Sequence, residues 1–239
     1  MDLARAGAFV EANADPLDRA RLRALLHGEP APPEALPRAN DDGGFPAFWS
    51  GDHSSLDATC AMLDRLSDLG DAAATLRARA ILFVQARRRL DGWWEEDASL
   101  AAKAPPWAMP GDEAATVYAT ANCGYWCDNA RAADWLAARV TPEGRLPSFV
   151  AAHWLAAALL RRHAQPAAFP LVRHLAGRVG ELGPSALARL ASTLPAEPVG
   201  AVARMLLSGR QQPDGRWSSE DGAACDAATT LAALRVLSP

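Results

Sequence analysis

Strand-forming signals are missing from this sequence. No stretch of strand length alternates apolar and polar residues, and β-branched residues are scarce beside alanine and leucine, so helix is favoured over sheet. Cysteine is sparse. Cys60, Cys123, Cys127 and Cys225 form no C-x-x-C pair, which argues against a disulfide framework and against the usual zinc spacings, and leaves buried thiols. His53 and His153 belong to no ligand cluster, and P-loop, G-x-S-x-G and G-x-G-x-x-G motifs are absent, so neither a metal nor a cofactor is expected. Positive charge is not in excess: the net charge of −4 argues against nucleic acid. Arg87-Arg88-Arg89 and Arg161-Arg162 fall near the ends of predicted helices, where cations complement the helix dipole. Long apolar runs are lacking too. The longest, Phe149 to Leu160, contains His153 and is too short to span a bilayer, so no stable membrane insertion is expected. Met1 to Pro16 carries Asp2, Glu11 and Asp15 and no signal-like apolar core, which predicts a cytoplasmic protein.

What is present is globular and helical. Half of the 239 residues are hydrophobic and 22% are charged, enough for one domain with a sizeable core. Asp15-Pro16 predicts a helix start and Gly28 a stop, followed by a proline-rich connection from Glu29 to Arg38. Residues 1–39 thus read as a helical pair and a linker. Beyond them a turn containing glycine recurs, usually with an aromatic residue, and opens into a small-residue helix. Asn40 to Phe45 leads to Asp57, and Leu90 to Trp94 leads to Asp112. Thr141 to Arg145 leads to Ser148 and His153, and Pro213 to Trp217 leads to Asp226. Gly183-Pro184-Ser185 opens one further helix. A spacing of about 35–55 residues is that of helical-hairpin repeats, and predicts about five repeats and ten or eleven helices in one domain over 1–239.

Leu207, Gln211, Gly215 and Trp217 resemble the Q-W repeat of squalene–hopene and oxidosqualene cyclases. Phe83, Gln85, Gly92 and Trp94 look like a looser copy, and Asp42-Gly43-Gly44-Phe45 and Glu143-Gly144-Arg145 like degenerate ones. The resemblance runs from about Asn40 to Leu237 and implies the all-α fold of the terpene cyclase and protein prenyltransferase superfamily: an α/α toroid, here a small or incomplete (α/α)5-6 barrel of helical hairpins. The prenyltransferase zinc set is not matched, because Asp57 and Cys60 are wrongly spaced and Cys225-Asp226 is in the wrong order. In the repeat itself glycine permits a positive-φ turn, glutamine satisfies helix-end backbone groups, and tryptophan covers the junction. Trp94, Gln211 and Trp217 are therefore expected to be staples of the fold.

The same resemblance implies proton-initiated cyclisation of an apolar polyene or isoprenoid-type substrate. Asp112 would fall on the proton-donating aspartate of the cyclase D-x-D-D-T segment, and Glu113 on its acidic neighbour, with Pro110 and Ala114 departing from the pattern. Capping is the competing role, since Asp57, Asp112 and Asp226 all open predicted helices. The loop from Asp97 to Gly111, with Trp107, has the length of a lid, and reads equally as a rigid surface crossing. Trp49, Trp107, Tyr118, Tyr125, Trp126 and Trp154, with His153, Asp57 and Asp226, are candidate substrate-binding residues, the aromatics because ring faces stabilise cations. Two alternatives stand beside the cyclase. One is a non-catalytic toroid binding an apolar ligand or partner protein; the other is a carbohydrate-active α/α barrel using Glu95-Glu96-Asp97 beside Trp93-Trp94. The short chain suggests a small substrate, an open cavity, or an oligomer whose second subunit closes it.

Overall fold

The structure, a computed structural model, describes residues 1–238. Among them are eleven α-helices: α1 (Leu3–Asn13), α2 (Pro16–His27), α3 (Leu56–Ser67), α4 (Ala74–Ala86), α5 (Glu113–Cys127), α6 (Ala130–Ala137), α7 (Val150–Arg162), α8 (Ala168–Arg178), α9 (Pro184–Thr193), α10 (Pro198–Ser208) and α11 (Asp226–Leu237). The only strands among the described residues are two-residue pieces, Phe45–Pro46 and Ser54–Ser55, paired antiparallel. The fold is all-α, as the composition predicts. Asp15 caps α2 through Asp18 N–H, and Gly28 ends it at φ 67°, so that start and stop fall where the sequence places them.

The chain forms two compact units. One is Arg38–His174; the other joins Met1–Pro37 to the chain from Leu175 onward. In the Arg38–His174 unit α5 lies between α3 and α7, with α4 against α3 and α5, and α6 against α5 and α7. The central helices α5 and α7 are buried on most sides, which suits their alanine-rich sequence. In the other unit α11 lies between α9 and α1, with α10 against α9 and α11 and α2 against α1 and α11.

Four turns share one construction. Gly43, Gly92, Gly144 and Gly215 have φ of 88°, 90°, 78° and 95°. Each donates its N–H to the carbonyl three residues back, at 2.8–2.9 Å. Two residues after each glycine, a backbone N–H is held by a polar side chain of the inner helix: Phe45 by Thr59, Trp94 by Thr120 and Trp217 by Thr230, each at 3.0 Å, and Leu146 by His153 Nε2 at 3.1 Å. The turns at Gly43 and Gly144 thus share the construction of those at Gly92 and Gly215. At Gly144 a Cβ would collide with the Pro170 carbonyl of α8, so close backbone approach as well as φ demands glycine there.

The tryptophan staples are equivalent to the atom. Trp94 Nε1 donates to Val84 O and Trp217 Nε1 to Leu207 O, both at 2.7 Å and both across ten residues. Both rings are fully buried. Gln211 bonds Asp2 N–H and O and Gly215 O, tying the turn to the start of α1. The turn hydrogen bonds put Arg88 in the place of Gln211, and Val84 in that of Leu207. Gln85 and Phe83 of the looser copy are therefore not the equivalents that their letters suggest.

Candidate functional site

A narrow cleft with about 10 Å³ of free space lies in the Arg38–His174 unit. Its apolar wall includes Leu56, Ala108, Met109, Ala115 and Ala119, and its polar groups include Asp57, Glu95, Glu96, Tyr118 and Asn122. The loop after Trp94 supplies Trp107, Ala108 and Met109, so the segment read as a lid does line a cleft. That loop is anchored by Trp49, which is buried against Leu100, Ala104 and Ala108.

Three of the sequence candidates meet here. Asp57 accepts hydrogen bonds from Tyr118 OH at 3.0 Å and from Trp107 Nε1 at 3.1 Å. Counting from the junction threonines, Asp57 and Tyr118 occupy the same repeat position, each two residues before Thr59 or Thr120, on the neighbouring helices α3 and α5. Tyr118 in turn meets Phe149 edge-on, with ring centroids 6.4 Å apart.

Glu96 is the residue that sequence reasoning underrated. It is 5% exposed, and its carboxylate accepts from Ser55 Oγ at 2.7 Å, Leu56 N–H at 2.9 Å and Asp57 N–H at 2.8 Å. It therefore satisfies the start of α3, where backbone donors lack helical partners. Burial pushes its pKa above the ordinary glutamate value against the pull of those three donors, and the nearby Asp57 charge pushes it further up. Glu95 pairs with Arg89 at 2.9 Å and accepts from Gly111 N–H at 3.3 Å. Asp97 accepts from Ser99 N–H at 2.8 Å. The acidic run is thus three differently engaged carboxylates and not one solvated stretch.

Asp112 and Glu113 stand apart from this geometry. Both are exposed and neither lines the cleft. Asp112 is the N-cap of α5 and accepts from Ala115 N–H at 2.9 Å, while Glu113 is the first residue of the helix. Asp112 lies in solvent because α5 begins seven residues before Thr120, whereas α3 begins three before Thr59. The opening of α5 therefore lies about one helical turn further out from its junction, in solvent. Nor are the three aspartates equivalent caps: Ser55 caps α3, with Asp57 second in the helix, and Asp226 is the first residue of α11 with no side-chain cap behind it.

The remaining candidates lie elsewhere. Tyr125 and Trp126 pack edge-on at 5.2 Å, half-buried, with Arg162 over the Tyr125 ring. Trp154 is buried in α7. His153 accepts from Leu146 N–H at 3.1 Å through Nε2, lies 3.1 Å from Phe149 O through Nδ1, and stacks on His174 at 5.3 Å. It does the work of a junction threonine. Asp226 belongs to the other unit, where it is buried, accepts from Ser219 N–H at 2.7 Å and lies 3.6 Å from Arg216. Among the described residues no group of three or more His, Cys, Asp or Glu is placed to hold a metal ion, and no helix is long and apolar enough to cross a membrane.

No family model matches this chain, and no curated protein matches it. Solved structures do. A crystal structure of a protein from Actinoplanes matches at a TM-score of 0.66 and 20% identity, covering 98% of this chain and 97% of the other. A type II terpene cyclase from Scytonema, MstE, solved as a variant in complex with its substrate geranylgeranyl dihydroxybenzoate, matches at 0.64 and 15% identity, covering 98% and 95%. The chain therefore has a terpene cyclase-like fold of the α/α-toroid class.

Proposed function

We propose that the cleft of the Arg38–His174 unit is the active site of a small cyclase-like enzyme that protonates an apolar alkene, with Asp57 as the acid. The observation that carries this reading is the setting of Asp57: a carboxyl on the cleft wall, fixed by Tyr118 and Trp107 and backed by the buried Glu96. Burial and the neighbouring Asp57 charge push the Glu96 pKa up, and two carboxyls this close disfavour double ionisation of the pair. Transfer of that proton to an alkene carbon leaves a carbocation, which a second alkene of the same chain captures. Loss of a proton from the cyclised cation completes an isomerisation. The aromatic rings of Tyr118 and Trp107, which line the cleft, are the groups that would stabilise the cation without trapping it. With about 10 Å³ of free space the cleft has room for about one water molecule in this structure, so a short isoprenoid-type chain enters only if the loop bearing Trp107 moves aside. Asp112 and Glu113 serve the helix start in this reading. The fold shared with MstE supports it.

One observation favours a second reading. Both Asp57 oxygens accept hydrogen bonds, an arrangement that also suits a permanently ionised group in a binding module without turnover. Asp57→Asn separates the two. Incubated with short polyprenyl alkenes and analysed by gas chromatography–mass spectrometry, this variant is expected to lose at least about 100-fold in turnover, the usual contribution of a positioned acid. Asp112→Asn keeps full rate. Equal turnover by wild type and Asp57→Asn would remove Asp57 as the acid, and ligand binding with no turnover by either protein would leave the binding module.

A further inference from the structure

Behind the cleft wall two thiols face each other. Cys60 of α3 and Cys123 of α5 are each 1% exposed, and their sulfurs lie 3.8 Å apart in a thiol–thiol contact. Cys123 also contributes to the cleft lining. Both cysteines lie close in sequence to the cleft's polar pair: Cys60 is three residues after Asp57, and Cys123 five after Tyr118. We propose that Cys60 and Cys123 are a reversible oxidation site, closed to a disulfide by a small hydroperoxide that enters through the cleft, and that this crosslink fixes α3 against α5 beside Asp57. The thiol pair would be oxidised in this way whether or not Asp57 is catalytic.

The chemistry balances with the peroxide as two-electron acceptor. The Cys123 thiolate attacks one peroxide oxygen, the O–O bond breaks, and the departing oxygen leaves as water or alcohol once protonated. The Cys123 sulfur is then a sulfenic acid. Cys60 attacks that sulfur, its proton and the sulfenic hydroxyl leave together as water, and the S–S bond is formed. The sulfurs must close from 3.8 Å to about 2.05 Å, which requires side-chain rotation or a closer approach of α3 and α5. Cys127, one turn beyond Cys123 and half-buried, is the competitor within this unit, whereas Cys225 belongs to the other unit. Burial pushes the Cys123 thiol well above its ordinary value and Cys127 up to about 12, so the reaction is slow at neutral pH and faster in alkali.

The test uses the folded full-length chain. Hydrogen peroxide is added across a range of pH, remaining thiols are capped with an alkylating reagent, and intact mass is followed by peptide mapping without reduction. The expected product has lost two hydrogen atoms, carries a single crosslinked peptide joining Cys60 to Cys123, forms faster as pH rises, and is reversed by dithiothreitol. Cys60→Ser leaves Cys123 as a sulfenic or higher oxide with no crosslink. A crosslink through Cys127 would overturn the assignment. So would oxidation of wild type that stops at sulfinic or sulfonic acid, or a dithiol that stays reduced while the methionines are oxidised.

Discussion

The turn ending in Trp94 and the turn ending in Trp217 belong to different units, and they staple their hairpins with the same bonds. Each indole N–H reaches a carbonyl ten residues back at 2.7 Å, and each backbone N–H reaches an inner-helix threonine at 3.0 Å. Beyond the staple the two units diverge. After Trp217 the chain enters α11 at Asp226, and Glu220 accepts from Ser185 and Ala186 N–H while remaining exposed. After Trp94 the chain runs on to Asp112 before α5, and Glu96 accepts from the start of α3 while buried. Both glutamates do the same structural job, holding the first amides of a neighbouring inner helix. Only the one beneath the longer loop is shut away from water and set beside a cleft. The repeat therefore fixes the scaffold, and the insertion after the staple makes the candidate site.

The largest effect expected is the one that the two units share. Trp94→Ala and Trp217→Ala should each cost about 3–5 kcal/mol, because each empties a fully buried site and removes the indole N–H bond to a carbonyl. Chemical denaturation read by circular dichroism measures both. A cost near zero at either position, or a large gap between them, would break the equivalence of the two staples.

The glutamates should then part company. Glu96→Ala removes the acceptor of three donors in a buried place and should cost on the order of 1–3 kcal/mol, whereas water replaces the exposed Glu220 carboxylate and its loss costs a fraction of that. Glu96 also carries a pH signature. Its folded-state pKa lies above the ordinary glutamate value, so the folded protein holds this proton more tightly than the unfolded chain. The stability that this proton confers is complete below the ordinary value and is lost as pH rises through the raised one. Glu96→Gln cannot ionise and is spared that loss. Plotted against pH, the melting temperature of wild type should fall relative to Glu96→Gln between the ordinary glutamate range and neutrality. A constant difference would show that Glu96 titrates like an exposed glutamate.

Much of the scaffold was legible in the sequence because it rests on local chemistry. Asp15-Pro16, Gly28 and the four glycine turns need only their own residues and a helix beside them. The candidate site was legible in its parts and not in its assembly. Tyr118, Trp107 and Asp57 stood among the candidates, but nothing in the chain joins residues 61 and 50 positions apart except the packing of α3, α5 and the loop. Glu96 reads as part of an acidic run because its three partners lie about forty residues earlier. Gln85 misled for a different reason: the helix end tolerates a shift in the letters that the hydrogen bonds do not share.

Asp112 gives the smallest effect and the sharpest contrast with Asp57. Its carboxylate accepts one backbone N–H at the exposed start of α5, a task that asparagine performs about as well and alanine does not perform. Asp112→Ala should cost about 1 kcal/mol and Asp112→Asn almost nothing, with turnover and ligand binding unchanged in both. Asp57 reverses the pattern. Ser55 is the cap of α3, so Asp57→Asn should leave the melting temperature nearly in place while altering whatever the cleft does. Measuring stability and cleft function on all three variants crosses the two acids against the two roles. A loss of function in Asp112→Asn with stability intact would return the proton donor to the place where the resemblance to the cyclase motif puts it. The exposed helix start would then have to be dried by something that covers it, such as a second subunit.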